Sequence, residues 1–190
     1  MIMQLTTVNK LFLKTAVRSI FSMTSRNRAL NQTKRLLNDY TELADGLSRE
    51  VGVRSVRVPP MRGVDEDMRD WSFYMILEHN TIVNRSISAT IQQLVHGEAL
   101  SGAAAIDPKN DVMPSQSAAE EQLQEFKNSV NEHVGIMANL GKLRGTNTAA
   151  HPIFGDFDAH KWNCMFSFHL SLHYKQAEYV VRAALAKQHE

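Results

Sequence analysis

HPIFGDFDAHKWNCMFSFHLSLHYKQAEYVVRAAL, residues 151–185, decides the fold. From Trp162 onward its core stripe recurs at helical spacing: Trp162, Met165/Phe166, His169, His173, Gln176/Ala177, Val180. Such spacing turns one face of a helix to an apolar interior. Asp158 stands where a helix N-cap belongs, with Phe157 before it and Trp162 at the fourth helical position as a hydrophobic staple. His169 and His173 are four apart, so both imidazoles project from one face. Two neutral imidazoles placed that way can chelate zinc, copper, iron or nickel. A further ligand must come from another helix, and His79 in WSFYMILEHN (71–80) is the candidate.

Working outward, the five prolines (Pro59, Pro60, Pro108, Pro114, Pro152) all fall between blocks of helical period. Strand-type alternation is nearly absent, so the spacing predicts an all-α chain. The expected blocks run from about 7 to 23, 26 to 51, 65 or 67 to 96, 117 to 140, and 158 onward. The third carries Met68, Trp71, Met75, His79, Ile82/Val83, Ile87, Ile91 and Leu94 on one stripe, with Asp65 or Asp67 suited to its start. The fourth has Ser117 and Glu120 in capping-box spacing. Its seam is Leu123, Phe126, Val130, His133, Met137 and Leu140. Residues 97–116 read as a long loop, a candidate lid over a site between the third and last blocks. Four core helices joined this way predict a four-helix bundle, in which metal sites form from side chains on facing helices.

A formal net charge of +1 argues against a nucleic-acid binder, which carries a clear basic excess. The charge is uneven, however: Lys10, Lys14, Arg18, Arg26, Arg28, Lys34 and Arg35 all precede Asp39, the first acidic residue. Residues 1–24 therefore read as a basic helical extension ahead of a metal-binding domain over 25–190. The extension is expected to pack on the bundle or on a partner subunit, with membrane-surface association through residues 7–23 as the other reading. No run approaches the ~20 apolar residues of a transmembrane helix. Cys164 is the sole cysteine, so no internal disulfide forms, and a reducing, cytoplasmic setting is expected.

Eight histidines are available. His133 sits on a seam and is a second-tier candidate as an extra ligand; His151 in the connector is one as acid or base. His151 and His160 otherwise read as surface or capping residues. HLSLH has Leu170 where a zinc protease places its glutamate, so that chemistry is disfavoured. The Glu-x-x-His pairs of di-iron bundles are also missing. Glu78 points about 100° away from its neighbour His79 on a helix of 3.6 residues per turn. Trp71, Trp162 and Phe166 read as core, and Cys164 is disfavoured as a nucleophile. No Gly-rich phosphate loop or GxSxG elbow occurs.

WSFYMILEHN resembles the second-helix motif of the DinB/YfiT-like superfamily of metal-dependent enzymes, roughly W-S-x-x-x-I-L-x-H. HPIFGDFDAHKWNCMFSFHLSLHYKQ is similar to a branch of that superfamily in which an HPFFG-type connector precedes an H-x-x-x-H helix. The resemblance covers about residues 65–96 and 151–185, with Asn80 standing where an apolar residue is usual and nothing corresponding to the chain before about residue 25. It implies a four-helix bundle with a metal triad on His79, His169 and His173, and it allows a homodimer. It further implies a divalent transition metal (zinc or nickel, with iron third) activating water or a low-molecular-weight thiol for hydrolysis or transfer on a small-molecule substrate. The alternative expectation is a non-enzymatic helical bundle acting through subunit or partner association.

Overall fold

The computed structural model describes residues 7–97 and 111–187, with side chains from residue 12 onward. The loop residues 98–110, which make up most of the candidate lid, lie outside the described residues. So do residues 1–6 of the extension.

The chain is mostly helical. Its elements are α1 (Thr7–Met23), α2 (Arg26–Ala44), the single turn α3 (Arg49–Gly52), a 3-10 turn (Glu66–Met68), α4 (Phe73–His96), α5 (Glu121–Asn139), β1 (Thr148–His151), β2 (Gly155–Asp158) and α6 (Ala159–Ala186). α4 packs against both α5 and α6, and α2 lies against α6 and α5. α1 docks on α6.

The helix boundaries follow side-chain caps, which satisfy amide groups that the first turn leaves without partners. Ser25 accepts from the Arg28 amide at the start of α2, and Asp158 from the Lys161 amide at the start of α6. The expected staple at α6 is present: the Phe157 and Trp162 rings meet edge to face at 5.8 Å. α4 differs from expectation. It begins at Phe73, capped by the Ser72 hydroxyl, whereas Asp65 makes no cap hydrogen bond and leads only into the 3-10 turn. A hydroxyl next to the aromatic run thus prevails over the acidic cluster upstream. Ser117 does not cap α5 either; its hydroxyl bonds Ser115, and the helix starts four residues later with no side-chain cap. α2 ends at Ala44, short of the expected end near residue 51, and the chain turns through Gly46 at φ 69°.

The connector before α6 is a two-stranded antiparallel sheet, which the spacing did not predict. Ala149 pairs with Phe157 and both are buried; Ala150 pairs with Asp156. Strands of four residues are too short to show a period of two. This hairpin is held from outside: Arg18 on α1 donates to the carbonyls of Phe154 (3.2 Å) and Asp156 (2.7 Å).

α4 is buried well beyond one stripe. Besides the expected apolar residues it encloses Phe73, Tyr74, Ile76, Leu77, Asn80, Thr81, Asn84 and Ser88. It is the central helix, covered by α5 on one side and α6 on another. Its buried amides therefore need internal partners: Asn80 donates to the Tyr40 hydroxyl and Asn84 to the Ser129 hydroxyl. Among the described residues, no helix is long and apolar enough to cross a membrane.

Candidate metal centre

The ladder of α6 sets His169 and His173 one turn apart on the face turned to α4, where His79 meets them. One ligand atom from each of the three lies within 4.8 Å of the others. His79 Nε2 and His169 Nε2 are 3.2 Å apart. A metal with bonds of about 2.1 Å to both would subtend roughly 100°, within the range of tetrahedral or octahedral sites. His79 and His173 are each 2% exposed, while His169 is partly exposed. His169 is therefore the least enclosed of the three. Trp71 closes the inner side, 5.0 Å from the His79 ring and stacked on His173 at 6.4 Å.

The outer nitrogens settle which atoms face inward. His79 Nδ1 lies 2.7 Å from the Val112 carbonyl, so it carries a proton and donates it. Nε2 of the neutral ring is then a bare lone pair. His173 Nδ1 lies 2.8 Å from Gln176 Oε1, and the Gln176 amide nitrogen donates to the Met68 carbonyl at 2.7 Å. That second bond fixes the amide so that its oxygen faces the ring, and His173 Nε2 is likewise left bare. Tying the outer N–H of a ligating histidine to a fixed acceptor is how metal sites orient their rings. Val112 is itself placed from α4: Glu78, turned away from the cluster as expected, accepts from the Ser115 amide at 2.7 Å. His169 Nδ1 is buried with no hydrogen-bond partner.

All three rings are held neutral. Burial depresses His79, and burial plus the neighbouring rings depress His169 well below the ordinary histidine range. Burial, then His79, brings His173 to about 3 despite the opposing Gln176 bond. Neutral imidazole is the form that ligates.

The second-tier candidates lie elsewhere. His133 is fully buried between α4, α5 and α6, with Nδ1 2.9 Å from the Ser88 hydroxyl and Nε2 3.2 Å from Asn163 Oδ1. Its ring stacks on Phe166 at 3.6 Å. Both nitrogens are occupied by neutral partners, and burial lowers its pKa to about 4. His151, at the end of β1, accepts from the amides of Ile153 (3.1 Å) and Phe154 (3.3 Å) through Nδ1. It stands outside the three-ring cluster but near enough for its charge to oppose one on His169.

His160 is buried rather than on the surface. Its Nε2 faces the carbonyls of Phe21 (3.1 Å) and Thr24 (3.0 Å), so it pins the end of α1 to α6. Cys164 sits beside it, and burial pushes its thiol up to about 12, which leaves no thiolate for nucleophilic attack near neutrality. Spacing put Gln176 and Met68 on core stripes without linking them to the triad, and it did not single out Val112. The one available signal was a glutamine on the same stripe as the two histidines, one turn after His173.

Compared with family models, curated proteins and solved structures, the chain finds no match among any of the three.

Proposed function

We propose that His79, His169 and His173 bind one divalent transition metal through their Nε2 atoms, in a four-helix bundle of the DinB/YfiT-like kind formed by α2, α4, α5 and α6. The supporting observation is the hydrogen-bond arithmetic. Val112 and Gln176 claim the ring protons of His79 and His173, so two bare lone pairs face the same buried space. His169 has one proton to offer, and it can satisfy only one of them. Burying an imidazole lone pair without a donor is costly. A cation satisfies all three at once.

The reading extends to an enzyme acting on a small substrate by hydrolysis or transfer, with zinc or nickel favoured by the imidazole set and iron third. Three histidines leave coordination positions open, the arrangement of a catalytic rather than a closed structural site. When bound, such a metal supplies Lewis-acid activation of a water or a low-molecular-weight thiol. The protein's own part is to orient His79 and His173 through Val112 and Gln176 and to exclude water on the Trp71 side, with His169 the least enclosed of the three.

Elemental analysis of chelator-free protein tests this beside His79→Ala. About one equivalent in the parent and none in the variant is the expected result. A parent that cannot be reloaded with zinc, nickel or iron sinks the reading. A second reading, association with a partner subunit, draws on the outer side of α1. There Phe12, Leu13, Ile20 and Met23 are exposed, with Phe12 at 76% and Met23 at 78%. A metal-free protein that self-associates through α1 would favour that role.

A further inference from the structure

Of the three outer ring nitrogens, two have acceptors and one does not. With a metal on His169 Nε2 the ring proton is on Nδ1, and that N–H is buried without a partner. A second buried donor, Trp162 Nε1, is also unpartnered. Trp162 precedes His169 by two turns of α6, and the His151 ring lies against it, 5.4 Å between centroids. His151 Nδ1 already accepts two backbone amides, so the proton of the neutral ring is on Nε2. The three N–H donors, on His169, His151 and Trp162, are neighbours: the His151 ring lies on Trp162, two turns before His169 on α6, and is near enough to His169 for its charge to act there. No described protein acceptor takes any of them.

Charge points the same way. Among the described residues the cluster contains histidines only, with no aspartate or glutamate. The outer acceptors, the Val112 carbonyl and the Gln176 amide, are neutral as well. A divalent cation held by three neutral rings keeps its full charge in a buried place, and such a charge calls for an anion. Nor is an arginine or lysine hydrogen-bonded to the three rings, so a single negative charge is matched better than the double charge of a phosphate.

We infer that the substrate carries a carboxylate, received beside the triad by the unpartnered N–H groups of His169, Trp162 and His151. The inference rests on the metal reading above and adds the substrate class, a small organic acid. A carboxylate has two oxygens and about four acceptor positions, enough for three donors with one left over. Hydrogen bonds to an ionised acceptor are the strong ones, so the group would orient as well as attract. The hairpin matters here because it carries His151, and Arg18 clamps it in place.

The test is calorimetric titration of zinc-loaded protein, its metal content measured first, with acetate and with acetamide as the neutral isostere, at fixed ionic strength. Acetate is expected to bind about tenfold or more tightly than acetamide. Trp162→Phe and His151→Phe, which keep an aromatic ring and lose the donor, are expected to retain metal. Each should weaken acetate about tenfold while leaving acetamide unchanged. A merely structural role would move both probes together. Equal binding of acetate and acetamide by fully loaded parent overturns the inference and leaves the metal reading standing. So does acetate binding that is indifferent to both substitutions, since acetate would then be held by the metal alone. A parent that takes no metal overturns both.

Discussion

Around His133 and around His79 the protein buries imidazoles between α4 and its neighbours, yet the rings face opposite company. His133 meets a hydroxyl on one nitrogen and an amide oxygen on the other, and its ring lies flat on Phe166. His79 meets a carbonyl on one nitrogen and another histidine on the other. Burial does not separate them, and neither does depressed basicity, which both share. What separates them is the partner of the second nitrogen. A satisfied histidine is a structural polar group; a histidine whose lone pair is aimed at other lone pairs has the arrangement that the proposed metal site requires.

The largest effect that could break this contrast is His133→Ala. It removes a fully buried ring from the contact between α4, α5 and α6 and leaves Ser88 and Asn163 each short of a partner. A loss of about 3 to 4 kcal/mol is expected from the cavity and the stranded groups together. Denaturant unfolding measures the loss, and elemental analysis alongside it should show metal content unchanged. A His133→Ala protein that folds but no longer takes metal would place His133 in the metal centre and erase the distinction.

Acid is expected to strike the structural histidines next. His133 and His151 are each depressed by burial to about 4. Unfolded, each would titrate near 6.5, so between those values the unfolded chain binds more protons than the folded one. The stability they contribute is complete above about pH 6.5 and is lost as pH falls toward 4. For His133 the loss by pH 4.5 is on the order of 2 to 3 kcal/mol. Unfolding curves at pH 7 and pH 4.5, for the parent and for His133→Ala, isolate it: the variant should lose less on acidification by that amount. An equal acid loss in both proteins would mean that His133 titrates normally in the fold.

The two centres were not equally legible in the sequence. Helical period placed His79 and His133 alike on core stripes and the i, i+4 pair on that of α6; the choice of His79 as the third member rested on the family resemblance of WSFYMILEHN. The start of α6 was also readable, since cap and staple are local features of residues 157–162. His133 was visible as a seam residue, but its role depends on Ser88 and Asn163, which lie 45 and 30 residues away. No one-dimensional pattern links those three. Asn80 and Asn84 lie off the stripe expected for α4 yet are buried, because a helix covered on more than one side has no wet side there. The hairpin was missed for a related reason: four-residue strands are stabilised less by their own propensity than by α1 and Arg18 pressing on them.

The smallest expected effect tests how the triad is oriented rather than whether it exists. Gln176→Leu is close to isosteric, so the core around it should stay filled. It removes the acceptor for His173 Nδ1–H and leaves the Met68 carbonyl without its donor. The free protein should lose about 1 kcal/mol. Metal affinity, read by competition against a chromophoric chelator, should fall about 10- to 100-fold, the usual consequence of cutting the bond behind a ligating histidine. The two readouts must diverge for the contrast to hold. Gln176 matters to the fold as one polar side chain among many, whereas to the metal it decides which nitrogen of His173 is bare. An unchanged affinity with the same small loss of stability would mean that His173 keeps its tautomer without Gln176. The triad would then differ from the His133 layer only in composition, not in how its protons are assigned.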